Sequence, residues 1–260
     1  MNKLKLVAIE NKKIYKEKFY INSSGKKIDL SEDINNALLE TCFYEDINIT
    51  KKVNNKTKFK VEDNIIHTGT IDCIISLRQG GESGNIVALN FASATTPGGG
   101  YLNGSTAQEE SICRASMLYP CLTKNMTMYK LNRQNYSPLY SDRMMYSPNV
   151  PIIRDDNGKL LDGPLLASFI TSPAVNRKVA SKMFIKDKTI NKAMDLRIRK
   201  ILSLALENNP SVIVLGAFGC GVFGNKKEVV YKIFEDAIND LVPLESVKVV
   251  FAVRDNVSKK

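Results

Sequence analysis

The stretch that decides the fold is residues 87–118, VALNFASATTPGGGYLNGSTAQEESICRASML. It begins as an apolar strand, passes through a glycine-rich loop and ends in two adjacent acids that open a helix. Three consecutive glycines, Gly98, Gly99 and Gly100, give up side-chain packing and cost backbone entropy when they become ordered. Such a loop is typical of a place where the backbone bends sharply or lies against a ligand. A flexible connection from strand to helix is the plainer interpretation of the same pattern.

The composition limits the class of protein. The chain has 260 residues, of which 43% are hydrophobic and 25% charged, as in an ordinary globular protein. No apolar run approaches the ~20 residues of a membrane span. The short apolar stretch before Glu10 is not a convincing signal peptide. We therefore expect no membrane association and an intracellular protein, cytoplasmic or, if the source is eukaryotic, nuclear.

The number and spacing of histidine and cysteine residues restrict the possible catalytic chemistry. His67 is the only histidine, and the five cysteines are scattered without a C-x-x-C pair. This set cannot assemble a zinc site of ordinary ligand spacing or a histidine-activated nucleophile. Any chemistry must therefore come from carboxylates, hydroxyls, backbone amides or a cofactor.

The charge balance suits a polyanionic partner. Thirty-seven Lys and Arg residues against 27 Asp and Glu give a formal net charge of +10. A nucleic acid or another phosphate-rich polymer would be attracted by such a field. The basic residues are dispersed, however, and the whole chain is rich in Lys, Asn and Ile, so direct nucleic-acid binding stays open.

The N-terminal region predicts an extension on a larger domain. Its pattern indicates a helix over 4–18, a hairpin around Asn22–Gly25 and a second helix from Ser31. A Lys- and Asn-rich stretch, 51–56, follows as a surface loop or boundary. We place the extension at residues 1–50 and the main domain at 51–260, because fifty residues are too few for a separate core.

Strand and helix signals alternate in the main domain. This alternation predicts an α/β sheet covered on both faces. The polar segment 125–164, with its tyrosines and prolines, is interpreted as a mostly irregular excursion. The predicted strands are 59–61, 86–92, 165–172, 211–217 and 247–253, and the predicted helices start at 70, 109, 188 and 227 and run to about 77, 121, 208 and 241.

A second glycine-rich loop follows a strand at 212–225, VIVLGAFGCGVFGN. Gly219, Gly221 and Gly224 satisfy G-x-G-x-x-G, the fingerprint of dinucleotide-binding domains. Too few elements follow for a Rossmann domain, which disfavours a dehydrogenase. Glycines before a helix start still expose N–H groups that can hold a diphosphate. Two such loops would face each other at the carboxyl edge of the sheet, with acids on one and amides on the other.

These two motifs together resemble the microbial-type poly(ADP-ribose) glycohydrolases of the macrodomain superfamily. The family pattern is GGG, six to eight residues, then QEE, and here seven residues separate Gly100 from Gln108. The resemblance covers most of the chain. It implies a macrodomain-like three-layer α/β/α sandwich with a mixed, mostly parallel central sheet, the N-terminal helix and hairpin included. One departure is at 173–176, PAVN, where a second proline is expected.

The resemblance implies a reaction and roles. Such enzymes hydrolyse the glycosidic bond between ADP-ribose units without a metal, so we expect no cofactor, poly(ADP-ribose) or ADP-ribosylated macromolecules as substrate, ADP-ribose as product, and a monomer. Glu110 would be the general acid and base, and Glu109 would orient the ribose. Further implied ligand-binding residues are Asn90, Ser93, Gly98, Gly99, Gly100, Gln108, the diphosphate-wrapping Gly219, Cys220, Gly221 and Val222, and Phe223 against the ribose.

Several alternatives stay open. Residues 106–109, TAQE, also fit a capping box, in which Glu109 would only satisfy the helix start. Removal of single ADP-ribose groups is a second enzymatic interpretation, and a non-catalytic ADP-ribose reader is a third. The adjacent acids favour catalysis, because a reader has no need of a proton donor there. Asp72 is a candidate adenine contact or simply an acid at a helix start.

Overall fold

This computed structural model describes residues 2–254. In that range the chain forms nine α-helices and nine strands, joined by loops and by two 3-10 turns at Glu62–Asn64 and Tyr101–Asn103. The helices are α1 Lys3–Glu17, α2 Ser31–Glu40, α3 Thr70–Gln79, α4 Gln108–Ala115, α5 Leu118–Lys124, α6 Thr127–Gln134, α7 Arg177–Lys182, α8 Asp187–Glu207 and α9 Lys227–Leu241. The strands are β1 Phe19–Ile21, β2 Lys27–Asp29, β3 Cys42–Tyr44, β4 Ile65–Ile66, β5 Asn85–Phe91, β6 Met144–Arg154, β7 Leu160–Ser172, β8 Pro210–Leu215 and β9 Lys248–Ala252.

Seven strands form the central sheet, in the order β3-β6-β7-β5-β8-β9-β4. The neighbours from β7 to β4 pair in parallel, whereas β3 and β6 run antiparallel to their partners. In β5, Ile86 and Ala88 point into one apolar core and Val87 and Leu89 into the other. A strand that alternates between two buried faces needs helices on both sides. The predicted mixed α/β sandwich is confirmed.

The predicted N-terminal elements are present. The helix α1 and the hairpin of β1 and β2 form as expected, and α2 begins at Ser31. The strand β3, Cys42–Tyr44, then pairs with β6 at the edge of the main sheet. The region before residue 50 thus contributes one strand to the main sheet, and the division of the chain at that residue stays a prediction.

The predicted strand at 59–61 is wrong. Phe59 and Val61 are buried, but side chains of α9 satisfy their backbone groups instead of a neighbouring strand. The Phe59 N–H donates to Asn239 Oδ1 at 2.7 Å, and the Val61 N–H donates to Glu235 Oε1 at 3.0 Å. The apolar alternation reflects packing against a helix.

The predicted helix over 109–121 is two helices. Ser116 separates α4 from α5 with an extended backbone, and its N–H still donates to Ile112 O. The Ser116 hydroxyl bonds the Ile112 carbonyl at 2.8 Å and accepts from the Leu118 N–H at 3.2 Å. Ser116 also forms a bridge to Ile152 of the sheet. A side chain that competes for backbone partners ends the first helix here.

The irregular excursion predicted at 125–164 is also wrong. This segment contains α6, the whole of β6 and the first part of β7. Pro148 and Pro151 lie inside β6, where Pro148 falls at the register change between Ser147 and Val150 and Pro151 is paired with Leu166. Because bulged pairing leaves backbone groups outside the regular ladder, it tolerates a proline such as Pro148 that otherwise argues against a strand.

None of the helices in residues 2–254 is long and apolar enough to cross a membrane.

Candidate active site

The two glycine-rich loops meet at the carboxyl ends of β5 and β8, which are neighbours in the sheet. Between them lies a cavity of roughly 630 Å³. Ten of the thirteen predicted site residues line it: Ser93, Gly99, Gly100, Gln108, Glu109, Glu110, Gly219, Gly221, Val222 and Phe223. Asn90, Gly98 and Cys220 do not line the cavity. The edge of an open parallel sheet is where ligands bind in such folds.

The three glycines are fixed by close contacts. Gly98 and Gly99 have φ angles of +68° and +56°, in the left-handed region that favours glycine. A Cβ atom on Gly99 would lie 2.6 Å from Glu110 Oε1 and 3.1 Å from Glu109 Oε2. One on Gly100 would lie 2.1 Å from Ser105 Oγ. Both carboxylates therefore pack against the bare backbone of this loop, and no side chain fits between them.

Glu109 is buried, and hydrogen bonds from β5 and from the residues just after it hold its side chain. Its side chain accepts hydrogen bonds from the Ser93 N–H at 2.7 Å and from Asn90 Nδ2 at 3.3 Å. Burial raises the pKa of the Glu109 carboxyl from 4.5 to about 8, although the Ser93 and Asn90 donors lower it. The carboxyl thus retains a proton near neutral pH, in a fixed orientation.

Glu110 is held by one oxygen only. Its Oε1 accepts from the Gly100 N–H at 2.8 Å. Its Oε2 is buried and has no hydrogen-bond partner within residues 2–254. An unsatisfied buried oxygen costs free energy and calls for an explanation such as a catalytic role. This oxygen is available to a ligand or a proton.

Gln108 joins the loop to the sheet. Its Oε1 accepts from the Phe91 N–H at 2.8 Å, and its Nε2 donates to Leu89 O at 2.8 Å and to Thr70 Oγ1 at 3.1 Å. Both ends of the amide are therefore engaged by protein groups. Although Gln108 lines the cavity, these bonds favour a role in positioning the two acids that follow it.

The capping-box alternative is wrong. Helix α4 begins at Gln108 with Ala107 as its N-cap, and no side chain caps it. The carboxylate of Glu109 is turned to Ser93 and Asn90 rather than back to its own helix start.

The second loop, 216–226, is organised by Asn225. Its Nδ2 donates to Val175 O at 2.8 Å and to Gly219 O at 3.1 Å. Gly219 has a φ of +71°, and a Cβ there would lie 2.4 Å from Ala174 Cβ. The segment 173–176, which departs from the family pattern, therefore packs directly on this loop. Sequence reasoning missed Asn225, because a buried asparagine in a loop carries no sequence signal of its partners.

The rim of the second loop is open. At Gly221, φ lies outside the left-handed region and an added Cβ would meet nothing within 4 Å, so the fold itself does not require glycine there. Val222 is 81% exposed, and the Phe223 ring lies 5.9 Å from that of Tyr140. Burial raises the pKa of the Cys220 thiol to about 11, so the thiol is unreactive at neutral pH.

Arg254 is a cavity residue that the sequence did not indicate. Its half-exposed guanidinium pairs with Asp156, which is buried. Asp156 in turn exchanges hydrogen bonds with Asp72: the Asp156 N–H donates to Asp72 Oδ1 at 2.9 Å and the Asp72 N–H donates to Asp156 Oδ2 at 3.3 Å. The proposed adenine contact of Asp72 stays a prediction, with one of its oxygens already engaged.

The cavity has apolar walls, and its polar groups include two adjacent carboxyl groups and the backbone of two glycine loops. Across residues 2–254, no three His, Cys, Asp or Glu side chains are grouped so that they could hold a metal ion. The two acids Glu109 and Glu110 line one part of the cavity, and the second glycine loop lines another with backbone N–H groups that can bind an anion. It can bind a phosphate-bearing ligand and transfer a proton to it.

This fold and this site define a hydrolase of the macrodomain type, with two acids facing a glycine loop. The family model of the microbial-type PARG catalytic domain, where PARG is poly(ADP-ribose) glycohydrolase, matches residues 8–155, and the chain belongs to that family. The resemblance inferred from the two motifs is thereby confirmed, as is the enzyme class, a glycosidase. The Rossmann alternative is wrong.

Solved structures agree with this assignment. The poly(ADP-ribose) glycohydrolase of Thermomonospora curvata bound to the inhibitor ADP-HPD is 32% identical, covers 98% of this chain and 95% of its own, and has a TM-score of 0.86. The same enzyme without the inhibitor has a TM-score of 0.87 at the same identity and coverage. The Deinococcus radiodurans enzyme in complex with ADP-ribose is 32% identical over 86% of this chain and 91% of its own, with a TM-score of 0.73. No curated protein matches the chain.

Proposed function

We propose that this protein hydrolyses poly(ADP-ribose) and releases ADP-ribose, with Glu110 as the general acid and base. The observation that carries the proposal is the unpartnered Oε2 of Glu110 in a carboxylate that Gly100 holds by its other oxygen. A carboxylate restrained at one oxygen and free at the other suits proton transfer to a bound group.

The ligand fits the cavity by its chemistry. A diphosphate is an anion that backbone N–H groups of a glycine loop bind, and Gly219 to Val222 supply such a loop opposite the acids. The ribose next to the diphosphate then lies between Phe223 and the acid wall. Two related enzymes have been solved with ADP-ribose or the inhibitor ADP-HPD bound, which supports this ligand class.

Glu110 and Glu109 have different roles in this mechanism. Glu110 protonates the departing ribose oxygen while positive charge develops at the anomeric carbon, and the resulting carboxylate accepts a proton from the attacking water. Glu109, protonated near neutral pH and fixed by Ser93, offers its hydroxyl or oxygen to a ribose hydroxyl. Its orientation limits the positions that the sugar can take relative to Glu110.

The experiment is the release of ADP-ribose from labelled polymer by Glu110→Gln. We expect kcat to fall about 10²- to 10⁴-fold, the range for loss of a general acid and base, while ADP-ribose affinity stays within about threefold. Glu40→Gln, at an exposed glutamate that ends α2, serves as the matched control and should retain full activity. Wild-type turnover by Glu110→Gln would refute the assignment.

The alternatives are separated in the same assay. A reader would bind ADP-ribose and release none from either substrate. A hydrolase for single ADP-ribose groups would act on mono-ADP-ribosylated protein and leave the polymer intact. The expected intracellular location stays part of this proposal, and the five free cysteines support it, since disulfides form mainly in oxidising compartments. The monomeric state stays a prediction, and direct nucleic-acid binding stays open.

A further inference from the structure

A basic surface with exposed apolar side chains borders the second glycine loop. We call it the α7 surface and define it by α7 and the turn that follows: Lys178, Val179, Lys182, Met183, Phe184, Lys186 and Lys188. Val179 is 41% exposed, Met183 54% and Phe184 94%. Single exposed apolar residues are ordinary, but three within six positions form a patch that typically marks an interaction site.

Phe184 adopts a backbone conformation that phenylalanine rarely takes. Its φ is +58°, in the left-handed region, where a glycine usually ends a helix. The Phe184 N–H donates to Ser181 O at 3.1 Å, and the Ile185 N–H donates to Ala180 O at 3.0 Å, so the turn is well formed. With the ring almost fully exposed, packing does not offset the conformational cost. A strained, exposed aromatic residue on a formed turn indicates a functional role.

The charge on the α7 surface is uncompensated. Residues 177–188 contain four lysines and one arginine against a single aspartate. Arg177 and Asp187 pair with each other at 2.5 Å, so they neutralise one another. The lysines, Lys178, Lys182, Lys186 and Lys188, are exposed, and none forms an ion pair with any residue in 2–254. The surface therefore presents about four positive charges beside an aromatic ring.

The α7 surface is attached to the rim of the active site. The Lys178 N–H donates to Phe223 O at 3.0 Å, and a Cβ on Gly224 would lie 3.4 Å from Lys178 Cβ. Phe184 follows Lys178 by six residues and comes just after the end of α7, so at a rise of 1.5 Å per helical residue the two residues are separated by about 10 Å. The lysines and the Phe184 ring therefore belong to a segment that is joined directly to the loop carrying Phe223.

We infer that the α7 surface binds the part of poly(ADP-ribose) that remains after cleavage. In this assignment, which rests on the proposed function, the adenine of the neighbouring unit stacks on Phe184 and its diphosphate faces the lysines. A polymer of nucleoside diphosphates carries both chemistries at regular intervals, and basic surfaces with exposed aromatic rings bind such chains by stacking and charge. The surface thus favours polymer over a single ADP-ribose group on a protein.

The aromatic contribution is tested with Phe184→Ala. We expect the KM for poly(ADP-ribose) to rise about 5- to 50-fold, the effect of losing one stacked base, with kcat and the Kd of free ADP-ribose within twofold of wild type. Leu39→Ala, at an apolar residue of α2 that is 74% exposed, is the matched control and should leave all three unchanged.

The lysines are tested by the salt dependence of polymer affinity. The double variant Lys182→Ala with Lys186→Ala should lower the slope of log affinity against log salt concentration by about 1.4, because each phosphate contact on a single strand contributes roughly 0.7. The control is Lys58→Ala with Lys60→Ala, two exposed lysines on the segment that packs against α9. It should leave the slope unchanged.

The outcomes separate the two proposals. Direct binding of polymer to Glu110→Gln, with and without Phe184→Ala, needs no turnover, so it tests the α7 surface even if the wild type released no ADP-ribose. Unchanged polymer affinity in Phe184→Ala would overturn the inference and leave the proposed function intact. Equal affinity for a single-stranded DNA oligomer would make the surface a nucleic-acid site. A change in self-association with unchanged polymer affinity would make it an interface between copies, and either result overturns the inference.

Discussion

Gly99→Ala places one methyl group against both acids of the cavity. The new Cβ would lie 2.6 Å from Glu110 Oε1 and 3.1 Å from Glu109 Oε2, at a φ of +56°. The left-handed backbone alone costs an alanine about 1–2 kcal/mol of folding free energy. The contact with Oε1 is the larger perturbation, because it must open by about 1 Å to reach an ordinary van der Waals separation.

That movement detaches Glu110 from its anchor. The displaced Oε1 loses its 2.8 Å bond from the Gly100 N–H, and hydrogen bonds to charged groups contribute about 1.5–3 kcal/mol. With ~1.4 kcal/mol for each factor of ten in rate, kcat on poly(ADP-ribose) should fall about 10- to 150-fold. Steady-state release of ADP-ribose measures this effect, and thermal unfolding measures the cost in stability.

The chain provides a control for the backbone cost. Gly25 has a φ of +80°, and a Cβ there would meet nothing within 4 Å. Gly25→Ala should lower Tm by a few degrees, as about 1 kcal/mol does in a chain of this size, and leave kcat unchanged. Wild-type kcat in a folded Gly99→Ala protein would refute the argument that the glycine exists to seat the acids.

Three further predictions follow from the contacts around the cavity. Wild-type Tm should fall by several degrees as pH rises from 5 to 8.5, and Glu109→Gln should largely remove that fall, because the folded chain holds a proton between pH 4.5 and about 8 that the unfolded chain has released. Asn225→Ala should lower Tm by roughly 5–10 °C and weaken ADP-ribose binding about tenfold in calorimetry, because the Gly219 carbonyl loses its side-chain donor. Arg114→Ala should lower kcat about tenfold and Arg114→Lys less, because Arg114 donates to Ser105 O and so restrains the turn after the glycines.

Each of these has a contrary result. A pH profile of Tm that is the same in Glu109→Gln and wild type would show that this carboxyl is not the group that titrates. Unaltered ADP-ribose affinity in Asn225→Ala would show that the second loop keeps its shape without that side chain. Wild-type kcat in Arg114→Ala would show that the hydrogen bond to Ser105 O does not restrain the turn that seats the acids.

Periodic segments could be predicted from the sequence because one physical signal dominates them. The helix α8 repeats apolar residues at helical spacing, and β5 and β8 are short apolar runs bounded by glycine or proline. Some errors arise where side chains replace regular pairing. Asn239 and Glu235 accept hydrogen bonds from the backbone of 59–61, and no pattern within that segment indicates partners 180 and 174 residues away. Strand β6 was missed for a different reason, because it contains prolines and its pairing with β7 changes register within the strand.

The residues of the site also differ in how far the sequence could predict them. The glycines and acids were predictable, since three consecutive glycines before two acids form a local pattern that is unfavourable unless the loop has a function. The contributions of Asn225 and Arg254 were not predictable, because each depends on which loops the sheet order brings together. Arg254 reaches the cavity only because β9 lies next to β8. Its orientation depends on the ion pair with Asp156, which is distant in the sequence.

If Glu110 transfers the proton, as we propose, the geometry gives a reason for a second acid beside it. Glu109 is enclosed, with both oxygens engaged by donors from β5 and the residues after it, so its position is set by the sheet. Glu110 is held only by Gly100, and its second oxygen has no partner within the described chain. A carboxyl group fixed at both oxygens would orient a sugar well and exchange protons poorly, whereas a carboxyl group held at one oxygen can give or take a proton at the other. Glu109 and Glu110, in the first turn of α4, supply one carboxyl group of each kind. Because Gly99 has no side chain, both groups can pack against its backbone.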